Sequence, residues 1–335
     1  MPKGNPKSRG IPKTVPDLRT GDVLAILCSD LHLSHTAPKS RKEKGADWYQ
    51  VMLDYLLQLY GLSTEWGEVP VVVAGDIFDR WDAPAELINF AIENLPDAVY
   101  AVPGQHDLPN HVYRDIERSA YWTLVQAKKI IDLKPGKPTI RMDGDLVMYG
   151  FPWEHPILPH DPNNYGSSVK LAVVHSYIWN GNTTGYHGAP KEKMVSGYLK
   201  NLDGYDAAVF GDNHIGFHLK TASKSGPIHI FNSGGFIRRK SDEVDYNPQI
   251  GALLKDGSIL PIPLKCDKDE FDLTHKEDDA EVVLDPELVQ AVNKIGDRAE
   301  DFTSFLRRLM DNESVRRGVK EVVLSCLPGG SDADV

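Results

Sequence analysis

Five apolar runs in this chain stop at the same kind of place. VLAILC (Val23 to Cys28) is followed by Ser29-Asp30-Leu31-His32, and VPVVVA (Val69 to Ala74) by Gly75-Asp76. AVYAV (Ala98 to Val102) leads to Pro103-Gly104-Gln105-His106-Asp107, VKLAVV (Val169 to Val174) to His175, and AAVF (Ala207 to Phe210) to Gly211-Asp212-Asn213-His214. Continuous apolar runs of this length fit strands buried on both faces, as in parallel sheets. Helical patterns around residues 47–60 and 83–94 separate the first three runs, so the order reads βαβαβ with right-handed crossovers. In such a sheet the carboxyl ends of the strands share one edge, where ligands bind. Carboxylates, imidazoles and an amide oxygen gathered there make a donor set for divalent transition metals, with enough groups for two ions.

Further strands are expected over 138–151 and Pro227 to Gly235, and a hairpin turning at Asp256-Gly257. Residues 1–20 are Pro/Lys-rich and aperiodic, and read as a flexible basic arm. After Cys266 an acidic stretch leads to amphipathic helices near 286–295 and 299–310, then a last strand over 319–327. Three scattered cysteines without C-x-x-C spacing suit free thiols in a reducing compartment. With neither a signal peptide nor an apolar run of membrane-spanning length, a cytoplasmic protein with no membrane partner is expected.

The net charge of −11 argues against a generally basic nucleic-acid binder. Residues 276–335 hold 14 acids against 8 bases, net −6, which leaves −5 for the rest. Within that remainder Lys39, Arg41, Lys42 and Lys44 form one basic cluster and Arg238-Arg239-Lys240 another. Local clusters decide phosphate contact more than total charge does.

The strand-end series D-x-H, G-D-x-x-D, G-Q-H-D, H and G-D-x-H resembles that of the calcineurin-like metallophosphoesterases, over roughly residues 23 to 265. SDLHLSHTAP with Asp47-Trp48-Tyr49, and more loosely FNSGGFIRRKSDEVDYNPQIGALL, are similar to the SbcD-type DNA-repair exonucleases of bacteria and phages. The resemblance implies a four-layer α-β-β-α sandwich: an α/β nuclease domain over 21–265, after the 1–20 arm, with a small α/β appendage at 266–335. That appendage would be an acidic helical cap or a partner-docking region.

The resemblance also implies roles. Asp30, His32 and His214 would hold one metal, Asp76 would bridge, and Gln105, His175 and Asp212 would hold the second. His106 would stay off the metals and either protonate the leaving oxygen or stabilise charge on the phosphoryl group, with Asp107 holding its ring, while a metal-bound hydroxide attacks phosphorus. Apart from the resemblance, the basic loops place Arg41, Lys42, Arg238 and Arg239 on the flanking substrate backbone, and His35, next to the first motif, would face the substrate. Partners would be DNA, a coiled-coil ATPase subunit and a second copy of the chain.

Two positions depart from the family pattern: Gln105 stands for Asn and Asp212 for His. Asp212 adds hard oxygen and negative charge, so manganese is expected ahead of magnesium, with zinc or iron behind both. The leading expectation is two-metal hydrolysis of DNA phosphodiesters. The alternatives are a metallophosphatase or small-molecule phosphodiesterase, which the acidic charge favours, and a DNA-binding subunit with impaired catalysis.

Overall fold

A computed structural model describes residues 18–141, 143–161, 163–181, 184–185 and 189–272, all within one compact unit. The expected helices at 286–310, the last strand and most of the basic arm lie outside the described residues.

The βαβαβ core forms as the apolar runs require. Val23–Cys28 (β1), Val71–Ala74 (β2), Val99–Val102 (β3) and Ile130–Asp132 (β4) lie side by side and parallel. Ala46–Glu65 (α1) and Ala85–Asn94 (α2) make the first two crossovers, and Ala120–Gln126 (α3) precedes β4. α1 is a helix because Trp48, Met52, Tyr55, Leu56, Leu59 and Leu62 recur on one face, and that stripe is buried. It meets the β1, β2 and β3 side chains of one sheet face, among them Ile26, Val73 and Ala101.

The second sheet runs in the order β5-β6-β7-β8-β10-β9, built from Pro138–Ile140 (β5), Leu146–Phe151 (β6), Val169–His175 (β7), Ala207–Gly211 (β8), Phe217–Ala222 (β9) and Pro227–Asn232 (β10). Gln249–Leu254 (β11) and Ile259–Pro263 (β12) return to the first sheet as an antiparallel hairpin beside β1. Its turn is the expected Asp256-Gly257, with Gly257 at φ 79°. Leu24, Leu27, Val72 and Val102 of the first sheet pack on Met148, Leu171, Val173 and Val209 of the second. Period-2 alternation thus gives β1 and β2 one face to the helices and one to the other sheet.

The expected sandwich is present, with a thinner fourth layer than the family resemblance implied. Phe151, Val174, Phe210 and Ile230 on the outer face of the second sheet are covered by Val195, Leu202 and Tyr205. Among the described residues the only α-helix there is the single turn Val195–Tyr198 (α4). The body also continues past residue 265: Phe271 bridges Arg41, and Asp272 N–H donates to the Ser40 carbonyl. None of the described helices is long and apolar enough to cross a membrane.

Candidate metal centre

The strand ends bring the expected groups to one edge, and the backbone is distorted to do it. Asp30, His32, Asp76 and Asp212 have φ of 53°, 43°, 55° and 83°. Each such residue costs about 1–3 kcal/mol, which surrounding structure must offset, and such clusters mark functional sites. Two glycines let the loops close in. A Cβ on Gly75 would lie 2.0 Å from His175 Nδ1, and one on Gly104 2.1 Å from Asp76 Oδ1.

Three groups of donors lie within 4.8 Å of one another: Asp30, His32 and His214; Asp30, Asp76 and His175; and His32, Asp76 and His106. The first two share Asp30 and meet at Asp76, whose Oδ2 is 3.7 Å from His32 Nε2 and 3.5 Å from His175 Nε2. Gln105 completes this side, because its extra methylene does not keep it away. Its Oε1 is 2.6 Å from His175 Nε2, and its amide N–H donates to Asp212 Oδ1 at 2.6 Å. Asp212 stands at the rim of this set and also donates its backbone N–H to the Asp30 carboxylate at 3.1 Å.

The charges are tense without cations. Burial raises the Asp30 carboxyl well above its ordinary range, and the Asp76 charge adds to that. Burial opposes charge on His175 too, yet Asp76, Asp30 and Asp212 outweigh it and lift the imidazole to about 10. His214 is pushed down to about 4 by burial and by Lys240 and Arg239, and His32 falls well below its ordinary value through burial and His214. Two imidazoles that resist protonation therefore face each other, Nε2 to Nε2, at 3.1 Å. Asp76 Oδ2 is buried and has no hydrogen-bond partner. A buried carboxylate oxygen left bare is costly, and a cation beside it and between the imidazoles would satisfy all three. His175 is oriented for that role: Nδ1 donates to the Ala74 carbonyl at 2.6 Å, so Nε2 would be the ligand once a cation displaces the proton it shares with Gln105 Oε1.

His106 enters this centre differently from the expectation. Its Nδ1 donates to the Asp79 carbonyl at 2.8 Å, and its ring centroid is 4.9 Å from that of His32. Asp107 does not hold the ring. Its carboxylate accepts the backbone N–H groups of Ile77, Phe78 and Gly104 at 3.0–3.2 Å, tying two strand-end loops together. The mistake came from adjacency in sequence: a 3-10 turn over Gln105–Asp107 sends neighbouring side chains in different directions.

Four of the five expected substrate contacts also need correction or narrowing. Arg41 is fully buried, paired with Glu43 at 2.6 Å and Asp269 at 3.2 Å, and donates to the Arg238 carbonyl. Arg238 is held by Asp269 at 2.8 Å and by the Val244 and Cys266 carbonyls. Both guanidiniums anchor the segment after β12 rather than face a ligand, because that segment's Asp269 is buried and needs their charge. Lys42 is exposed, 4.0 Å from Glu270, and His35 bonds the Tyr49 hydroxyl at 3.0 Å. Arg41→Ala should therefore cost on the order of 3 kcal/mol, since it takes the buried cation from Glu43 and leaves Asp269 with Arg238 alone, read as a fall in the urea midpoint. An unchanged midpoint would show the pairing to be inconsequential.

Arg239 remains beside the centre. It lines a cleft of about 310 Å³ with His32, His106, His214, Lys240 and Glu243. Its guanidinium pairs with Asp79 at 2.7 Å, while Nε is buried without a partner. Asp79 and Glu243 also line this cleft, beside Arg239 and His214. Glu243 accepts the backbone N–H groups of Arg239 and Lys240 and lies 3.9 Å from His214 Nδ1. The second Asp of G-D-x-x-D was the available signal for Asp79; Glu243 had only the looser segment match.

The calcineurin-like phosphoesterase family model matches residues 25–216, more than half of the chain. No curated protein matches at a significant level. Similar solved structures include a metallophosphoesterase from Sphaerobacter thermophilus, at 15% identity over 72% of this chain and 88% of that one, TM-score 0.34. Another is the sulfate thiohydrolase SoxB of Thermus thermophilus in complex with glycerol, at 11% identity over 75% of this chain and 57% of that one, TM-score 0.46. A third is a 5'-nucleotidase precursor, also from Thermus thermophilus, at 11% identity over 82% of this chain and 59% of that one, TM-score 0.42. The chain thus spans little more than half the length of the last two, and at these identities none of the three bears on substrate.

Proposed function

The chain belongs to the calcineurin-like phosphoesterase family, and from that premise we propose that it is a manganese-dependent nuclease, an exonuclease of the SbcD-like kind acting on DNA. The observation that carries the hydrolytic part is the bare Asp76 Oδ2 between His32 and His175. Asp30, His32 and His214 would hold one cation and Gln105, His175 and Asp212 the other, with Asp76 between them. What a bound pair of divalent cations supplies is charge stabilisation at the phosphoryl oxygens and a more acidic water.

The residues do the rest. Because the Asp79 carbonyl can only accept, His106 Nδ1 keeps its proton and Nε2 is the atom that gives one up to a leaving oxygen. Arg239 and Lys240 at the cleft rim orient the phosphate. Three carboxylates in the ligand set (Asp30, Asp76 and Asp212) favour hard cations, which supports manganese over zinc.

The sequence motifs support DNA, but the basic rim is smaller than the clusters suggested, since Arg41 and Arg238 are consumed internally. That pairing and the −11 net charge favour the second reading, a phosphatase or phosphodiesterase on small molecules. The test is cleavage of end-labelled DNA by chelated protein resupplied with manganese or zinc, over a salt series. DNA should be cut with manganese, and log kcat/KM should fall with log salt at a slope of about −2, for two phosphate-contacting cations. Turnover of small esters only, insensitive to salt, would establish the second reading instead.

A further inference from the structure

A second cavity of about 400 Å³ opens on the other side of His175, between the loop after β6 and α4. Trp153, His155, Ile157, Lys193 and Tyr198 line it. From this geometry we infer a nucleobase-binding pocket adjoining the metal centre. It rests on the reading of the substrate as a nucleic acid strand, and it names the part of the strand that is held there.

The walls are aromatic and fixed. The Trp153 ring stands edge-on to His175, centroids 6.3 Å apart, and its backbone N–H is tied to the Pro103 carbonyl just before Gly104 and Gln105. The Tyr198 hydroxyl donates to the Tyr177 carbonyl and shares a hydrogen bond with Ser176 Oγ, both at 2.9 Å. His155 packs against Tyr113, centroids 4.5 Å apart, and buried Ile157 supplies an apolar floor. A cavity of this size with aromatic walls matches a heteroaromatic ring, and stacking serves any base because every base has a π-face.

Charge at the mouth excludes the other occupant. Lys193 Nζ lies over the Tyr198 ring and donates to Ser176 Oγ at 2.8 Å, while Glu154 and Glu192 face the same opening. One ammonium against two carboxylates disfavours a phosphate, and the carboxylates can accept from exocyclic amines of a neutral base. The other cleft is more basic, with Arg239 and Lys240 matching the charges of Asp79 and Glu243. A strand would then run with its backbone toward His214 and the base next to the reacting phosphate beside His175.

The test is calorimetric binding of deoxyadenosine 5'-monophosphate and of methyl phosphate to the manganese-loaded full chain. The nucleotide should bind at least ~10-fold tighter than methyl phosphate. That ratio should collapse toward one in Trp153→Ala and persist in Trp153→Phe, which keeps a stacking face. Lys193→Ala, which removes the ammonium over the Tyr198 ring and its hydrogen bond to Ser176 Oγ but keeps every aromatic face, should lower the ratio by a smaller factor. No preference in the wild type, or a preference that survives Trp153→Ala, overturns the pocket. A Trp153-dependent ratio in a protein that does not cut DNA upholds the pocket and removes the nuclease. DNA cleavage with an unaltered ratio does the reverse.

Discussion

Asp76→Asn is expected to lower kcat/KM by about 10³-fold or more, on the order of 4 kcal/mol of transition-state stabilisation. The side chain is buried, one oxygen accepts the His106 backbone N–H at 2.9 Å, and the other makes no hydrogen bond and lies 3.5–3.7 Å from the His175 and His32 imidazoles. Asparagine keeps the shape and the first hydrogen bond but offers a neutral group where the proposed bridge needs a charged one. Metal dependence separates lost chemistry from lost folding. At a hundredfold excess of manganese over its Kd, the wild type should gain roughly 3 kcal/mol of stability, and Asp76→Asn should lose most of that gain. A variant that retains both the manganese-induced rise in Tm and its turnover would remove Asp76 from the centre of the site.

His106 and Asp107 should separate cleanly when mutated, although they are neighbours in sequence. His106→Ala is expected to cost about 10²- to 10⁴-fold in kcat, the usual range for a positioned acid, with KM and the manganese-induced rise in Tm nearly retained. Asp107→Asn should instead lower stability by on the order of 2 kcal/mol, because a buried carboxylate shared by three backbone donors is replaced by a neutral amide. Burial, with the Asp76 charge behind it, lifts the Asp107 carboxyl to about 7, which marks how confined it is. The measurement is kcat alongside the urea midpoint for each variant. If Asp107→Asn lost only activity while His106→Ala lost only stability, the assignment would be reversed. A further control is Asp79→Ala: the carbonyl that holds His106 is backbone and survives, so its effect should come through Arg239 and through His32, whose Nδ1 lies 3.6 Å from the carboxylate.

The strands were legible because burial on both faces leaves unbroken Val, Ile, Leu and Ala, and the site because those runs end abruptly in charged groups. Three things escaped. β9 and β4 are edge strands with partly exposed side chains, so they carry no continuous apolar run. The Arg41–Asp269–Arg238 cluster joins residues about two hundred positions apart, and sequence shows only that each is charged. An exposed arginine and a buried one read alike until the carboxylate that neutralises it is located. The hold on His106 was misassigned because it comes from a backbone carbonyl, which every residue possesses and no side-chain motif records.

The left-handed backbone at Asp30, His32, Asp76 and Asp212 has a consequence for how such a protein can change. Glycine would relax all four positions and strip away their ligating atoms in the same step. Selection for heat resistance and selection for turnover therefore pull these positions in opposite directions, and gains in robustness must be found elsewhere in the chain.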